Sequence, residues 1–108
     1  MKIDLHSHSY YSDGVLSPSE VIRLANEADC DLFSLTDHDT TAGLTEAQLE
    51  ADKLGVKLVM GVEISALWRN MAIHILGLGI DIHNSTLQAG LEHNQKLRKE
   101  RAEKIALG

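Results

Sequence analysis

Apolar positions along this chain fall alternately into short bursts and helix-spaced stripes, and that alternation predicts its elements. Ile3 to Leu5 alternates apolar and polar residues, as a short opening strand does. Ser12-Asp13-Gly14 marks a turn. Ser17-Pro18-Ser19-Glu20 reads as a helix start, with Ser17 as cap, Pro18 at the first helical position and Glu20 completing a capping box. Val21, Ile22, Leu24, Ala25 and Ala28 supply the stripe of that helix. Leu32-Phe33-Ser34-Leu35-Thr36 is too short for a helix and predicts a buried strand. A second helix is expected over Ala42 to Leu54, capped by Thr40 or Thr41 and closed by Gly55 as a C′ glycine. Val56 to Val62 predicts a third strand, and the mostly apolar Ala72 to Ile80, with Gly77 and Gly79, a fourth. A last helix, capped by Asn84 or Ser85, carries Leu87, Leu91, Leu97, Ala102 and Ile105. Its charged face, Lys96, Arg98, Lys99, Glu100, Arg101, Glu103 and Lys104, reads as plain solvation.

The resulting order, β-α-β-α-β-β-α with near-continuous apolar strands, predicts an α/β fold with a largely parallel sheet covered by helices. The 108 residues are 44% hydrophobic with one proline, which fits a single folded domain over residues 1–108 rather than a disordered tail. No repeat, linker or low-complexity segment divides it. The formal charge of −6 offers no broad basic surface and argues against nonspecific binding to duplex DNA. A small phosphorylated substrate stays open, because bound metal ions reverse local charge. The lone Cys30 excludes an intramolecular disulfide and a cysteine-rich zinc finger. The opening residues lack the apolar run of a signal peptide, and no stretch reaches the roughly 18 apolar residues of a membrane span, so a cytoplasmic protein without membrane attachment is expected.

The chemistry begins with the six histidines. His6 and His8 stand two apart at the end of the first strand and would face the same side of it. Asp13 follows in the next turn. His38, in Thr36-Asp37-His38-Asp39, lies just beyond the second strand, and Glu63, in Gly61-Val62-Glu63-Ile64-Ser65, ends the third. The C-terminal ends of parallel strands share one sheet edge, where α/β enzymes put their active sites. Taken singly, a His-x-His pair, a polar loop and a surface carboxylate are ordinary; their joint placement points to a metal site. His74 sits in the apolar run Ile73-His74-Ile75-Leu76, where a hydrogen-bonded core imidazole is the plain alternative. Imidazoles and carboxylates without a thiolate suit zinc, manganese or iron. The donors exceed what one tetrahedral ion needs, so a cluster of two or three divalent ions is expected. Such clusters generate hydroxide near neutral pH and clamp both reacting oxygens of a phosphoryl group, which puts phosphoester hydrolysis first.

These residues resemble the polymerase and histidinol phosphatase (PHP) domain family. Its motifs match in order as Asp4-Leu5-His6-Ser7-His8-Ser9 with Ser12-Asp13-Gly14, then Thr36-Asp37-His38-Asp39, then Gly61-Val62-Glu63-Ile64-Ser65, then His74-Ile75-Leu76-Gly77-Leu78. Within it the chain is most similar to the stand-alone enzymes that remove the 3′-phosphate from nucleoside 3′,5′-bisphosphates and trim short 5′-phosphorylated RNA, an impression to which Thr40-Thr41 and Trp68 contribute. The resemblance implies a distorted (β/α)7 PHP barrel and a phosphorylated nucleotide or short RNA as substrate. It also implies that His6, His8 and Glu63 hold one ion, that Glu63 bridges to a second on His74, and that Asp13 and His38 hold a third. Catalysis is assigned to His8, Glu63 and His38, with a metal-bound hydroxide attacking phosphorus and no covalent enzyme intermediate. Arg69 could reach a phosphate or be a surface arginine; Asp4, Asp37 and Asp39 could orient the histidines or serve turns and strand ends.

Family members add ligands from later strands, including a histidine and an Asp-x-His element. Here Asp81-Ile82-His83 follows the fourth motif immediately and reads as a coincidental turn, and His93 as a surface residue. The chain is therefore expected to be the N-terminal part of the barrel, truncated at its C-terminus. Two other functions compete with a nucleotide-directed phosphoesterase. One is an inactive metal-binding or interaction module that self-associates through its open sheet edge. The other is a PHP phosphatase for histidinol phosphate or DNA ends.

Overall fold

A computed structural model describes residues 1–107; Gly108 and the side chains of 104–107, including the expected positions of Lys104 and Ile105, lie outside the described residues. The elements are β1 (Ile3–Asp4), α1 (Pro18–Glu27), β2 (Leu32–Leu35), α2 (Leu44–Leu54), β3 (Leu58–Trp68), β4 (Met71–Leu78) and α3 (Ser85–Leu107), in the expected order. The strands form one mixed sheet, ordered β1-β2-β3-β4. β1 with β2 and β2 with β3 are parallel, whereas β3 and β4 form an antiparallel hairpin.

α1 starts where the sequence places it. Ser17 Oγ accepts from the Glu20 amide and Glu20 Oε1 accepts from the Ser17 amide, each at 3.2 Å, with Pro18 inside the first turn. Val21, Ile22 and Ala25 pack against Leu44, Ala47 and Ala51 of α2 and against Phe33 and Leu35 of β2, so the two helices cover one face of the sheet. Leu24 departs from the expected stripe and stays half exposed. Replacing Ser17 with alanine is expected to cost about 0.5–2 kcal/mol in urea unfolding at neutral pH. The box also has a pH signature. Its hydrogen bonds with Ser17 hold the Glu20 carboxyl below its ordinary value. The stabilisation is thus complete above the unfolded carboxyl's pKa and is lost as pH falls through the lower folded one, so the Ser17→Ala difference should shrink in acid.

α2 begins at Leu44, two residues later than expected, and its N-cap is Gly43 rather than either threonine. Thr40 Oγ1 instead accepts from the Ala42 amide (3.1 Å), and Thr41 Oγ1 accepts from Gln88 Nε2 of α3 (3.0 Å). A Cβ on Gly43 would stand 2.8 Å from Pro18 Cγ, so α1 and α2 meet too closely there for a capping side chain. Gly55 closes the helix in the left-handed conformation, φ 74°, as expected.

β3 differs most from expectation. It starts at Leu58 and runs to Trp68, well past Val62, so Glu63 lies inside the strand rather than at its end. Arg69 and Asn70, φ 50° and 64°, form the two-residue turn whose twist suits a hairpin. β4 borders the sheet, and its apolar side chains Met71, Ile75, Leu76 and Leu78 are exposed, which corrects the reading of that run as buried. Asn84 caps α3, its Oδ1 accepting from the Leu87 amide (2.9 Å), and Leu91 anchors the helix as a buried residue. Among the described residues no helix is long and apolar enough to cross a membrane.

Candidate metal centre

The chain leaves β1 at Asp4, whose Oδ1 accepts from the His6 amide (3.1 Å). Between His8 and Gly14 it folds back on itself, with the Ser12 and Gly14 amides both donating to Ser9 O (3.1 and 2.9 Å). Residue 14 has no room for a side chain, because a Cβ there would lie 2.5 Å from His8 O. The fold-back carries the Asp13 carboxylate onto His8 Nδ1 and to 3.2 Å from His38 Nε2.

Beyond β2, His38 pairs with Glu63 in an isolated parallel bridge. Its two hydrogen bonds run from the Glu63 amide to Asp37 O (3.0 Å) and from the Asp39 amide to Glu63 O (2.8 Å). Across the hairpin Ser65 stands opposite His74 and Glu63 opposite Leu76. Side chains alternate along a strand, so Glu63, Ser65 and His74 share one face.

Four imidazoles surround Glu63, whose side chain is only 6% exposed. Its Oε1 lies 2.7 Å from His6 Nε2 and 2.9 Å from His8 Nε2; its Oε2 lies 2.8 Å from His74 Nδ1 and 3.5 Å from His38 Nδ1. The rings form a row in edge contact, with centroids 5.0 Å apart for His6 and His8, 4.5 Å for His8 and His38, and 5.0 Å for His38 and His74. Burial pushes the Glu63 carboxyl up, but hydrogen bonds from His6 and His8 and the charge of His38 outweigh it, leaving the group below its ordinary value. At Asp13 burial is likewise outweighed, by the His8 hydrogen bond and the His8 and His38 charges.

Donor atoms in three sets, His6-His8-Glu63, His8-Asp13-His38 and His38-Glu63-His74, all lie within 4.8 Å of one another inside each set. The buried Nδ1 of His38 has no hydrogen-bond partner, alone in that respect among the described buried side-chain nitrogens and oxygens. A buried lone nitrogen beside two ionised carboxylates, in a nest of imidazoles, is a donor set that fits divalent cations.

The structure thus brings together all six sequence-predicted residues, His6, His8, Asp13, His38, Glu63 and His74. It corrects some of their surroundings. His74 is half exposed on a bordering strand, which removes the core imidazole that its apolar run left as the alternative. Among the described residues Asp4, Asp37 and Asp39 make no hydrogen bond to a histidine ring. Asp37 accepts from the Ser9 amide, Ser9 Oγ and Ser12 Oγ, and Asp39 from Ser65, Asn94 and Arg98. Arg69 lies over the Trp68 ring at the hairpin tip, 4.5 Å from its centroid, and Asp81 caps its own turn by accepting from the His83 amide. A cleft of about 1070 Å³ is lined by Asp13, His38 and His74 together with His93, Arg98 and Arg101 of α3. Sequence reasoning missed that role for α3: a charged helical face carries no signal of what it packs against.

The PHP domain family's sequence profile matches residues 4–104. A 5′-3′ exoribonuclease of Haemophilus influenzae is 44% identical over 104 residues, covering 96% of this chain and 38% of the relative. A 3′,5′-nucleoside bisphosphate phosphatase of Chromobacterium violaceum is 47% identical over 103 residues, covering 95% of this chain and 36% of the relative. The solved structure of an amidohydrolase from Chromobacterium violaceum, with sulfate bound and no metal, superposes with a TM-score of 0.93 at 46% identity, over 97% of this chain and 37% of that one. The chain therefore spans well under half the length of the proteins it matches.

Proposed function

The chain belongs to the PHP domain family, and from that premise we propose that it supplies the N-terminal metal-binding part of a hydrolase that cleaves phosphate esters of nucleotides or short 5′-phosphorylated RNA. In this reading His6, His8 and Glu63 would hold one divalent ion, Glu63 and His74 a second, and Asp13 and His38 a third. Zinc, manganese and iron all suit such donors. The observation that carries the reading is the Glu63 carboxylate, each of whose oxygens faces two imidazoles, an arrangement suited to a ligand shared between ions.

When bound, the ions supply Lewis-acid polarisation of the phosphoryl oxygens and a nucleophile at neutral pH. The chain's own residues prepare the site for them. Glu63 and Asp13 are held ionised, so neither gives up a proton to accept a cation. His8, Glu63 and His38 form the middle of the cluster, where the reacting phosphate would meet it. Arg101 adds positive charge to the cleft and draws an anionic substrate toward the imidazoles, whereas the charge of Arg98 is offset by Asp39. The cleft admits a ligand of nucleotide size. The relatives' names, a bisphosphate phosphatase and an exoribonuclease, favour a nucleotide phosphate over histidinol phosphate.

A second reading, a metal-binding module that associates with itself without turnover, is favoured by the exposed apolar side chains of β4. Phosphate release from a nucleoside 3′,5′-bisphosphate with manganese separates the two. Hydrolysis that falls at least about 100-fold in His8→Ala supports the phosphoesterase. Release at the level of the buffer blank, from a chain that holds metal and sediments as a dimer, supports the module.

A further inference from the structure

We propose that Asp37 and Asp39, the residues flanking His38, are positioning residues that set two separate parts of the centre: Asp37 the His8–Asp13 part and Asp39 the Glu63–His74 part. The proposal deepens the metal-site reading and rests on it.

The two carboxylates are buried and point to different elements. Asp37 Oδ1 accepts from the Ser9 amide (2.6 Å) and Ser12 Oγ (2.8 Å), and its Oδ2 from Ser9 Oγ (2.6 Å). All three donors lie in the fold-back between His8 and Asp13, so Asp37 fixes the segment that delivers both side chains. Asp39 Oδ1 accepts from the Ser65 amide and Asn94 Nδ2 (both 2.9 Å), and its Oδ2 from Ser65 Oγ (2.6 Å) and Arg98 Nε (2.8 Å). Ser65 is the cross-strand partner of His74 and lies two residues beyond Glu63 on the same face. Asp39 therefore ties the hairpin carrying Glu63 and His74 to α3, and Gln95 Nε2 strengthens the joint by donating to Asp39 O (2.6 Å). The backbone groups of the same two aspartates hold the His38–Glu63 bridge between these anchors.

The donor sets make the two positions respond differently to the same substitution. At residue 37 an asparagine can keep Oδ1 on the Ser9 amide and Ser12 and donate its amide to Ser9 Oγ, because a hydroxyl can turn from donor to acceptor. At residue 39 one of the two partners of Oδ2, Arg98 Nε, is an obligate donor, so an asparagine amide would face it with no acceptor between them. Asp39 also has φ 53°, a conformation that asparagine tolerates, so Asp39→Asn removes the carboxylate without adding backbone strain.

The test is the set of histidine-ring nitrogen–proton NMR signals of the metal-free chain at one fixed pH, followed by zinc titration under equilibrium dialysis. Asp37→Ala and the gentler Ser12→Ala are expected to move the His8 and His38 rings and leave His74 in place, with Asp37→Asn close to the parent. Asp39→Asn and Ser65→Ala are expected to move His74 and leave His8 in place. In zinc titration Asp37→Ala should weaken most the site of Asp13 and His38, and Asp39→Asn the site of Glu63 and His74, each about 10- to 100-fold. Ring shifts spread evenly over all four histidines, or no shift in either set, would overturn the proposal. So would an Asp37→Asn variant as perturbed as Asp37→Ala. A parent chain that binds no zinc would overturn the metal-site reading instead, while the ring signals still decide whether the two aspartates act on separate parts.

Discussion

Glu63→Gln is expected to strip the chain of most of its divalent metal and to lower any phosphoesterase activity more than about 100-fold, beyond the usual loss from changing a residue that merely supports a ligand. The carboxylate serves four imidazoles with two oxygens. Glutamine keeps the volume but offers one oxygen, and its amide turns donors toward whichever pair of rings lost the other. It also removes the negative charge that sits between the rings at only 6% exposure, where little water is available to screen a bound cation in its place. Metal analysis after dialysis against a defined free zinc concentration checks the first part, and phosphate release checks the second. His83→Ala is the control: that residue sits in the turn capped by Asp81 and should leave both readings unchanged. Glu63→Gln binding metal as tightly as the parent would remove Glu63 from the centre.

The largest stability effect is expected from Ile22→Ala. Ile22 is fully buried where α1, α2 and β2 meet. Truncating such a side chain removes transfer free energy and leaves a cavity, together worth about 2–5 kcal/mol. Single domains are commonly stable by only about 5–15 kcal/mol, so the loss is a large fraction of the whole. Urea unfolding should show a lower midpoint with an unchanged slope, the sign of lost stability without a change in the exposed surface. Leu24→Ala, on the same helix but half exposed, should cost no more than about 0.5 kcal/mol. Equal losses at the two positions would mean that the α1–α2–β2 packing is not what stabilises the fold.

What was legible in the sequence follows the range over which each feature is decided. α1 was readable to the residue because Ser17, Pro18 and Glu20 decide its start among themselves. The ligand-bearing segments were readable because parallel strands bring their ends to one edge whatever the details of packing. The length of β3 was not. Its second half is held by pairing with β4, and the turn that permits the pairing uses Arg69 and Asn70 without the glycine that marks most such turns. His74 was assigned to the centre through family resemblance alone, since periodicity in an apolar run points toward burial, whereas the strand is a border. The contacts of Asn94 and Arg98 with Asp39 span 55 and 59 residues, and no local pattern announces them.

The histidine row has one more consequence. Each ring packs edge to face on its neighbours, so the four imidazoles buttress one another along the row. His8 and His38 each pack on two neighbours, His6 and His74 on one. Removing a middle ring takes packing from two neighbours, and removing an end ring takes it from one. The hierarchy of sensitivity along the row is thus set by order of contact, and losses from paired substitutions should not add.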